Sequence, residues 1–314
     1  MQAAQQLQSK TKPRPKRMTL SAVKTGRLTR PTRVLLYGPE GIGKSTFASK
    51  APSPIYLGTE EGTSQLDVSR MPEPECWQDV QDAIEVLTNE KHEYQTLVID
   101  TLDWLEPVCW QHVCKQGGET SIEGFGYGKG YAAALDQWRS LLAAVDRLRS
   151  TKQMHVIALA HSWIRPFQNP AGDNYDRYEL KLHNRASGLW KEWSDTVLFA
   201  VYEDYAHKAD KNAKAKGVTT GARIMRTSRH PAWDAKTRYM LPETLPLDWE
   251  EFWAAVQQGS DPQKLLAQIA ELVVQVDEKT AKAVKASLDK VSTDTRQLAR
   301  IANKLTAIIN EVTQ

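Results

Sequence analysis

The amino-acid sequence predicts an α/β fold: a mostly parallel central sheet with helices on both faces, followed by a small C-terminal helical bundle. Three observations predict it. Short apolar runs at 33–37 (RVLLY), 54–58 (PIYLG), 96–100 (TLVID), 155–160 (HVIALA) and 196–202 alternate with helix-like stretches. A glycine-rich turn links the first run directly to a helix. Beyond residue 259 the apolar residues return with helical spacing alone.

Taken in order, the first strand leads through that turn to a helix near 45–50, and the second strand follows at 54–58. A helix over 77–89 precedes the third strand. A helix near 103–114, a glycine-rich loop at 115–130 and a long helix near 131–150 then lead to the fourth strand. A polar loop at 162–187 separates it from the fifth. Segments 223–227 and 237–241 look like a hairpin, more antiparallel than the rest. A boundary falls near 259–260, where Asp261 is a suitable N-cap and Pro262 a suitable first helical residue. Leu265, Ile269, Leu272, Val276, Val284, Leu288, Val291, Leu298, Ile301, Leu305 and Ile308 then mark three amphipathic helices. The expected organisation is a flexible basic tail at 1–31, an α/β domain at 32–258 and a helical domain at 259–314.

Composition narrows the class. With 314 residues, 41% hydrophobic and 25% charged, the chain can bury a sizeable core. No run approaches 18 apolar residues, so no membrane span is expected. An apolar secretory leader is lacking at the start, and three cysteines do not make a disulfide framework, so a reducing, cytoplasmic setting is expected. The formal charge of +3 is unevenly spread: residues 1–33 hold nine Lys and Arg and no acid, leaving 32 basic against 38 acidic residues beyond. Such a tail suits either nucleic-acid phosphates or a solubilising arm.

Gly38-Pro39-Glu40-Gly41-Ile42-Gly43-Lys44-Ser45 fits the pattern G-x-x-x-x-G-K-[ST], between a strand and a helix. Glycines there let backbone N–H groups turn inward around phosphate oxygens. Lys44 is expected to reach the β and γ phosphates and Ser45 to ligate Mg²⁺, with Thr46 completing the nucleotide-binding set. Asp100 ends a buried apolar strand, where a carboxylate meets the same metal ion; Asp103 is read as the N-cap of the next helix, which leaves Asp100 free. Glu60 and Glu61 follow the second strand at the same sheet edge, where one carboxylate can orient a water for attack on the γ phosphate, or both are simply solvated. His161 ends the fourth strand on that edge and reads either as a γ-phosphate sensor or as a capping or core histidine.

The order of these parts resembles that of RecA-like recombinases, and in particular the compact, phage-encoded RecA-like ATPases associated with single-strand annealing. The resemblance covers residues 32–255 and is carried by GPEGIGKSTFA at 38–48, YLGTEEG at 56–62, LVIDTLDWL at 97–105, FGYGKGY at 125–131 and AKTRYMLPETLPLDW at 235–249. It implies a RecA-like P-loop NTPase that uses ATP and Mg²⁺. Glu60 falls at the water-activating position and Asp100 at the metal-binding aspartate. His161 stands where that family keeps a polar sensor, often a glutamine. Lys236 and Arg238 sit where such proteins place basic residues that reach a neighbouring subunit's nucleotide. The resemblance further implies self-assembly into a ring or filament, and single-stranded DNA held by the loops after the third and fourth strands.

Those loops offer Lys129 from the first, and Trp163, Arg165, Arg177, Lys181 and Arg185 from the second. Cations beside aromatic faces suit a single strand, although Asp173, Asp176 and Glu179 leave the second loop almost neutral, and a lid or interface loop is the alternative. Cys109, His112 and Cys114 share a helix without a standard zinc spacing and read as core residues. Trp163 and Trp233 are the tryptophans to consider for base stacking. The resulting expectation is an ATP-dependent single-stranded-DNA recombinase or annealing protein, with a single-strand-binding protein as a possible partner for the last helices. The alternatives are a P-loop helicase or translocating motor, or a DNA-binding scaffold that uses ATP only as a switch.

Overall fold

A computed structural model describes residues 19–23, 25, 30–58, 61–207, 216–259, 261–291 and 295–313. The chain divides into a short unit, residues 1–30, and a compact unit, residues 31–314. In the first, the described structure is a single 3-10 turn at Leu20–Ala22; most of the basic tail lies outside the described residues.

In the second unit β1 (Arg33–Gly38) runs into α1 (Lys44–Ser49), followed by β2 (Pro54–Gly58), β3 (Ser69–Arg70) and α2 (Trp77–Asn89). Next come β4 (Thr96–Asp100), α3 (Leu102–Gly117), α4 (Lys129–Lys152), β5 (His155–Phe167), β6 (Tyr175–Leu180) and α5 (Asn184–Trp193). The chain continues through β7 (Thr196–His207), β8 (Lys216–Arg226), β9 (Lys236–Thr237), β10 (Thr244–Pro246) and α6 (Trp249–Gln258). It ends in α7 (Pro262–Val273), α8 (Glu278–Val291) and α9 (Thr295–Thr313).

The sheet order is β10-β8-β7-β1-β5-β4-β2-β3, with β6 paired to β5 and β9 to β7. All pairs from β7 across to β3 are parallel; β8, β10, β9 and β6 join antiparallel. This is the mostly parallel α/β fold the sequence predicts. Strand β5 lies between the strand that carries the P-loop and the strand that ends in Asp100.

Alternation along the strands builds the two layers. Leu35, Tyr37, Leu97, Ile99, Val156 and Ala158 face one way and meet α2, α3, α4 and α5. Val34, Leu36, Val98, Ile157 and Leu159 face the other, against α1 and α6. Helix α2 shows how pattern becomes packing: Trp77, Val80, Ile84 and Leu87 share one face, and Cys76 with Asp79 closes a capping box at its start. Asp248 accepts N–H bonds from Glu250 and Glu251 at the start of α6, and Lys50 pairs with it at 2.5 Å. Helices α7–α9 carry an apolar cluster of their own, built on Leu265, Ile269, Leu298, Ala302 and Leu305. Asp261 caps α7 with Pro262 in its first turn, as the sequence predicts. No helix among the described residues is long and apolar enough to cross a membrane.

Three expectations are corrected. His161 does not end its strand, because β5 continues to Phe167. The segment 162–187 is accordingly not a loop: β5 and β6 form an antiparallel arm, register Ser162↔Leu180 to Phe167↔Tyr175, followed by the start of α5. The polar, weakly alternating residues there hide a strand pair that stands partly in solvent. Segments 223–227 and 237–241 do not pair with each other either. Strand β8 bonds to β7 on one side and β10 on the other, while β9 pairs with the start of β7, on the edge of β7 that faces away from β1 and is shared with β8.

Candidate functional site

The P-loop is built by close backbone approach. Gly38 lies where β1 passes β7 so tightly that a β-carbon would stand 2.3 Å from the carbonyl oxygen of Ala200. Gly43 adopts φ +107, a left-handed conformation suited to glycine, and turns the chain into α1. Lys44 is buried, its Nζ donating to the carbonyls of Gly38 (3.3 Å) and Pro39 (2.9 Å). The ammonium is thus held inside the turn that the motif assigns to phosphate. Ile42 points into the core beside Phe47, which anchors the loop from below.

Ser45 Oγ donates to Asp100 Oδ2 at 2.6 Å, and Tyr56 Oη donates to the Ser45 carbonyl at 2.8 Å. Asp100 is buried and falls on the α1 side of the sheet by the alternation of β4. A hydroxyl and a carboxylate converging beside the P-loop are hard oxygen donors. They fit Mg²⁺, which is held by one or two protein oxygens together with phosphates and water. When bound, such an ion neutralises charge on the β and γ phosphates.

His161 stands opposite Gly38 in the β1–β5 register. Its backbone N–H donates to Asp103 Oδ1 (2.9 Å), and its ring Nδ1 lies 2.8 Å from Asp103 Oδ2. Burial works against ionised Asp103, yet these hydrogen bonds hold its carboxyl below the usual aspartate range. Asp103 therefore does not cap α3; the N-cap is Thr101, and Asp103 sits in the first turn, where it fixes the histidine. Sequence reading missed this partnership because spacing alone does not bring residues 103 and 161 together.

Glu60 lies outside the described residues, and Glu61 opens a 3-10 turn directly after β2. Glu40 at the loop tip pairs with Lys181 at 3.7 Å. Arg223, which no local motif singles out, brings Nη1 to 3.0 Å from the place a Gly43 β-carbon would occupy.

Lys236 and Arg238 lie elsewhere. Strand β9 pairs with Thr196 and Val197 at the start of β7, beside Val34 at the start of β1, so both sit at the end of the sheet away from Gly38. Arg238 bonds Asp195 Oδ1 at 2.9 Å, alongside Arg33. Burial, with Arg238 adding to it, pulls the Lys236 ammonium below its usual range. Neither belongs to this chain's own P-loop site.

The residues expected to hold DNA divide. Lys129 opens α4 and is exposed, and Arg185 and Lys181 are exposed. On the arm, the Arg165 guanidinium lies 4.2 Å over the Trp163 ring and donates to Asn184 Oδ1 at 2.9 Å. Arg177 is corrected: it is buried, paired with Asp234 and stacked on Phe167, so it holds the arm to the body and is not free for phosphate. Trp233 packs on Phe199 and His230. Tyr127, between two left-handed glycines and itself at φ +49, is fully exposed, and Trp104 is 55% exposed in the first turn of α3.

One curated relative, the SPbeta prophage-derived uncharacterized protein YorG of Bacillus subtilis (strain 168), is 26% identical over 106 residues, 31% of this chain. The match spans about a third (33%) of that relative's length. Among solved structures, the RadB recombinase aligns over 64% of this chain and 82% of its own, at 12% identity and a TM-score of 0.37. Residues 30–239 match the family described as an AAA domain, a P-loop ATPase domain. That match takes in two thirds of the chain, from β1 and its P-loop through Asp100 and His161 to β9, and the chain belongs to this AAA domain family.

Proposed function

We propose that this protein is a Mg²⁺-dependent ATPase that acts on single-stranded DNA in recombination or annealing, and that it works as a homo-oligomer. One observation carries the reading. Strand β5 is bonded to the P-loop strand through His161 and Gly38, then continues without a break into the arm that bears Trp163 and Arg165. The Lys181 N–H bonds the His161 carbonyl at 2.9 Å, and the Lys181 side chain pairs with Glu40 of the P-loop. Nucleotide edge and arm are thus parts of one hydrogen-bonded element, a physical route for coupling phosphate state to a strand-binding surface.

In this reading Gly38–Ser45 and Thr46 hold ATP, Ser45 and Asp100 hold Mg²⁺, and Glu60 orients the attacking water. His161, its ring fixed by Asp103, relates nucleotide state to the arm. Lys129, Trp163, Arg165, Lys181 and Arg185, with the basic tail, bind the strand. Lys236 and Arg238 serve the nucleotide of a neighbouring copy, and their distance from this chain's own P-loop supports that assignment. The division into a tail at 1–31, an ATPase domain at 32–258 and a helical domain at 259–314 is part of the proposal, with the helical domain available for self-assembly or for a single-strand-binding protein. The prophage-derived relative supports a phage setting and a cytoplasmic location.

The test is ATP hydrolysis with and without single-stranded DNA, for wild type, Lys44→Ala and Glu60→Gln. Turnover that rises with DNA and disappears in both variants is expected. Turnover indifferent to single strands would remove the proposed coupling, and a helicase or translocating motor on duplex DNA becomes the better reading. ATP binding with negligible turnover, unchanged by Glu60→Gln, would favour a scaffold that uses ATP as a switch.

A further inference from the structure

The P-loop has a cationic neighbour that reaches it from a strand 180 residues further along the chain. Strands β7 and β8 lose register between Tyr202 and Asp204: Tyr202 faces Arg223, Asp204 faces Thr219, and residues 220–222 stand opposite Glu203 alone. Gly221, at φ +74, supplies the left-handed turn of this bulge. A bulge bends its strand and re-aims the side chains beside it. Arg223 is the first residue back in register, and its carbonyl accepts the Leu247 N–H at 2.9 Å, so its backbone is tied to a strand on one side and to the β10–α6 connection on the other.

From that fixed point the side chain crosses to the P-loop. Nη1 lies 3.0 Å and Cδ 4.0 Å from the position of a β-carbon on Gly43, with Leu247 Cδ2 beside them at 3.7 Å. The guanidinium therefore rests against Gly43, the residue just before Lys44, while Arg223 itself is solvent-exposed. A planar fork of donors at the lip of a phosphate cradle is suited to paired phosphate oxygens, a geometry that an ammonium does not reproduce.

We infer that Arg223 is a phosphate ligand supplied to the P-loop nucleotide by the same chain, binding the part of the phosphate chain common to nucleoside di- and triphosphates. The inference rests on the nucleotide-site reading above and adds a residue to it. It also separates two kinds of cation: Arg223 acts within the chain, whereas Lys236 and Arg238 lie at the far end of the sheet.

The experiment is equilibrium binding of fluorescent ADP, and of ATP by calorimetry, to wild type, Arg223→Gln, Arg223→Lys and Lys44→Ala, with thermal unfolding of each nucleotide-free protein as a control. Charge-assisted hydrogen bonds of this kind predict about ten- to hundredfold weaker binding of both nucleotides by Arg223→Gln, at unchanged unfolding temperature. Arg223→Lys, which keeps the charge without the fork, is expected to fall between. Wild-type affinity in Arg223→Gln overturns the inference and leaves the P-loop reading standing. Absence of nucleotide binding in wild type, or full binding in Lys44→Ala, overturns the P-loop reading and the inference with it.

Discussion

Asp103 grips His161 at two points, accepting its backbone N–H at 2.9 Å and facing its ring Nδ1 at 2.8 Å, with both side chains buried. One carboxylate thus sets both the strand position and the ring orientation of the histidine that stands opposite Gly38 in the sheet. Asp103→Ala leaves a buried N–H without its acceptor and is expected to cost roughly 1–3 kcal/mol. Because Asp103 is held below its ordinary value of 3.8, its contribution is present above that pH and is lost as pH falls through the lower folded value. Urea unfolding of wild type and variant at neutral and acid pH checks both points. Asp103 is a positioning residue, so the DNA stimulation of turnover is expected to fall further than the basal rate.

Asp100→Asn keeps the size of the side chain and an acceptor for the Ser45 hydroxyl, now 2.6 Å from the carboxylate. It removes the negative charge that suits a divalent cation. The expected outcome is nucleotide affinity that no longer responds to Mg²⁺, while affinity measured in a metal chelator stays near wild type. Titration of fluorescent ADP with and without Mg²⁺ reads this directly.

Glu106 offers a pH test away from the nucleotide. It is buried on α3, both carboxylate oxygens accept the His183 N–H (3.1 and 2.9 Å), and the Tyr131 ring stacks on His183. Burial pushes its carboxyl from 4.5 up to about 7, with Asp103's charge adding and the His183 bond opposing. A carboxyl raised on folding binds its proton more tightly in the native state, so stability falls as pH rises from about 4.5 to about 7. The full effect is on the order of 3 kcal/mol. Glu106→Gln keeps an acceptor and removes the titration; its stability relative to wild type is expected to improve between pH 5 and pH 8. Denaturant unfolding at those two values decides it.

Arg238 tests assembly. It bonds Asp195 at the sheet end away from Gly38, so Arg238→Ala is expected to leave nucleotide binding within about twofold of wild type. If its charge serves a neighbour, the variant loses turnover as a homo-oligomer. Mixing it with Lys44→Ala, itself inactive, then restores part of the activity, because some interfaces join an intact P-loop to an intact arginine. A mixture that stays inactive would sink the assignment to a neighbouring subunit.

The sequence alone determined what depends on neighbours along the chain. The alternation of apolar runs and helical faces, the P-loop at 38–45, Asp100 at the end of its strand, and the Asp261–Pro262 start of the terminal helices were all legible, because propensity, capping and strand burial are local. Tertiary structure decided what depends on residues far apart. It joined Asp103 to His161 and turned an expected helix cap into a clamp. It buried Arg177 against Asp234, extended β5 past His161 into a paired arm, and placed Lys236 and Arg238 at the opposite sheet end from the P-loop. Arg223 carries no local signal, since its approach to Gly43 comes from a bulge and from a sheet order that sets β7 beside β1. A side chain's charge and reach are written in its identity; the group it meets is fixed only when strands distant in sequence are laid side by side.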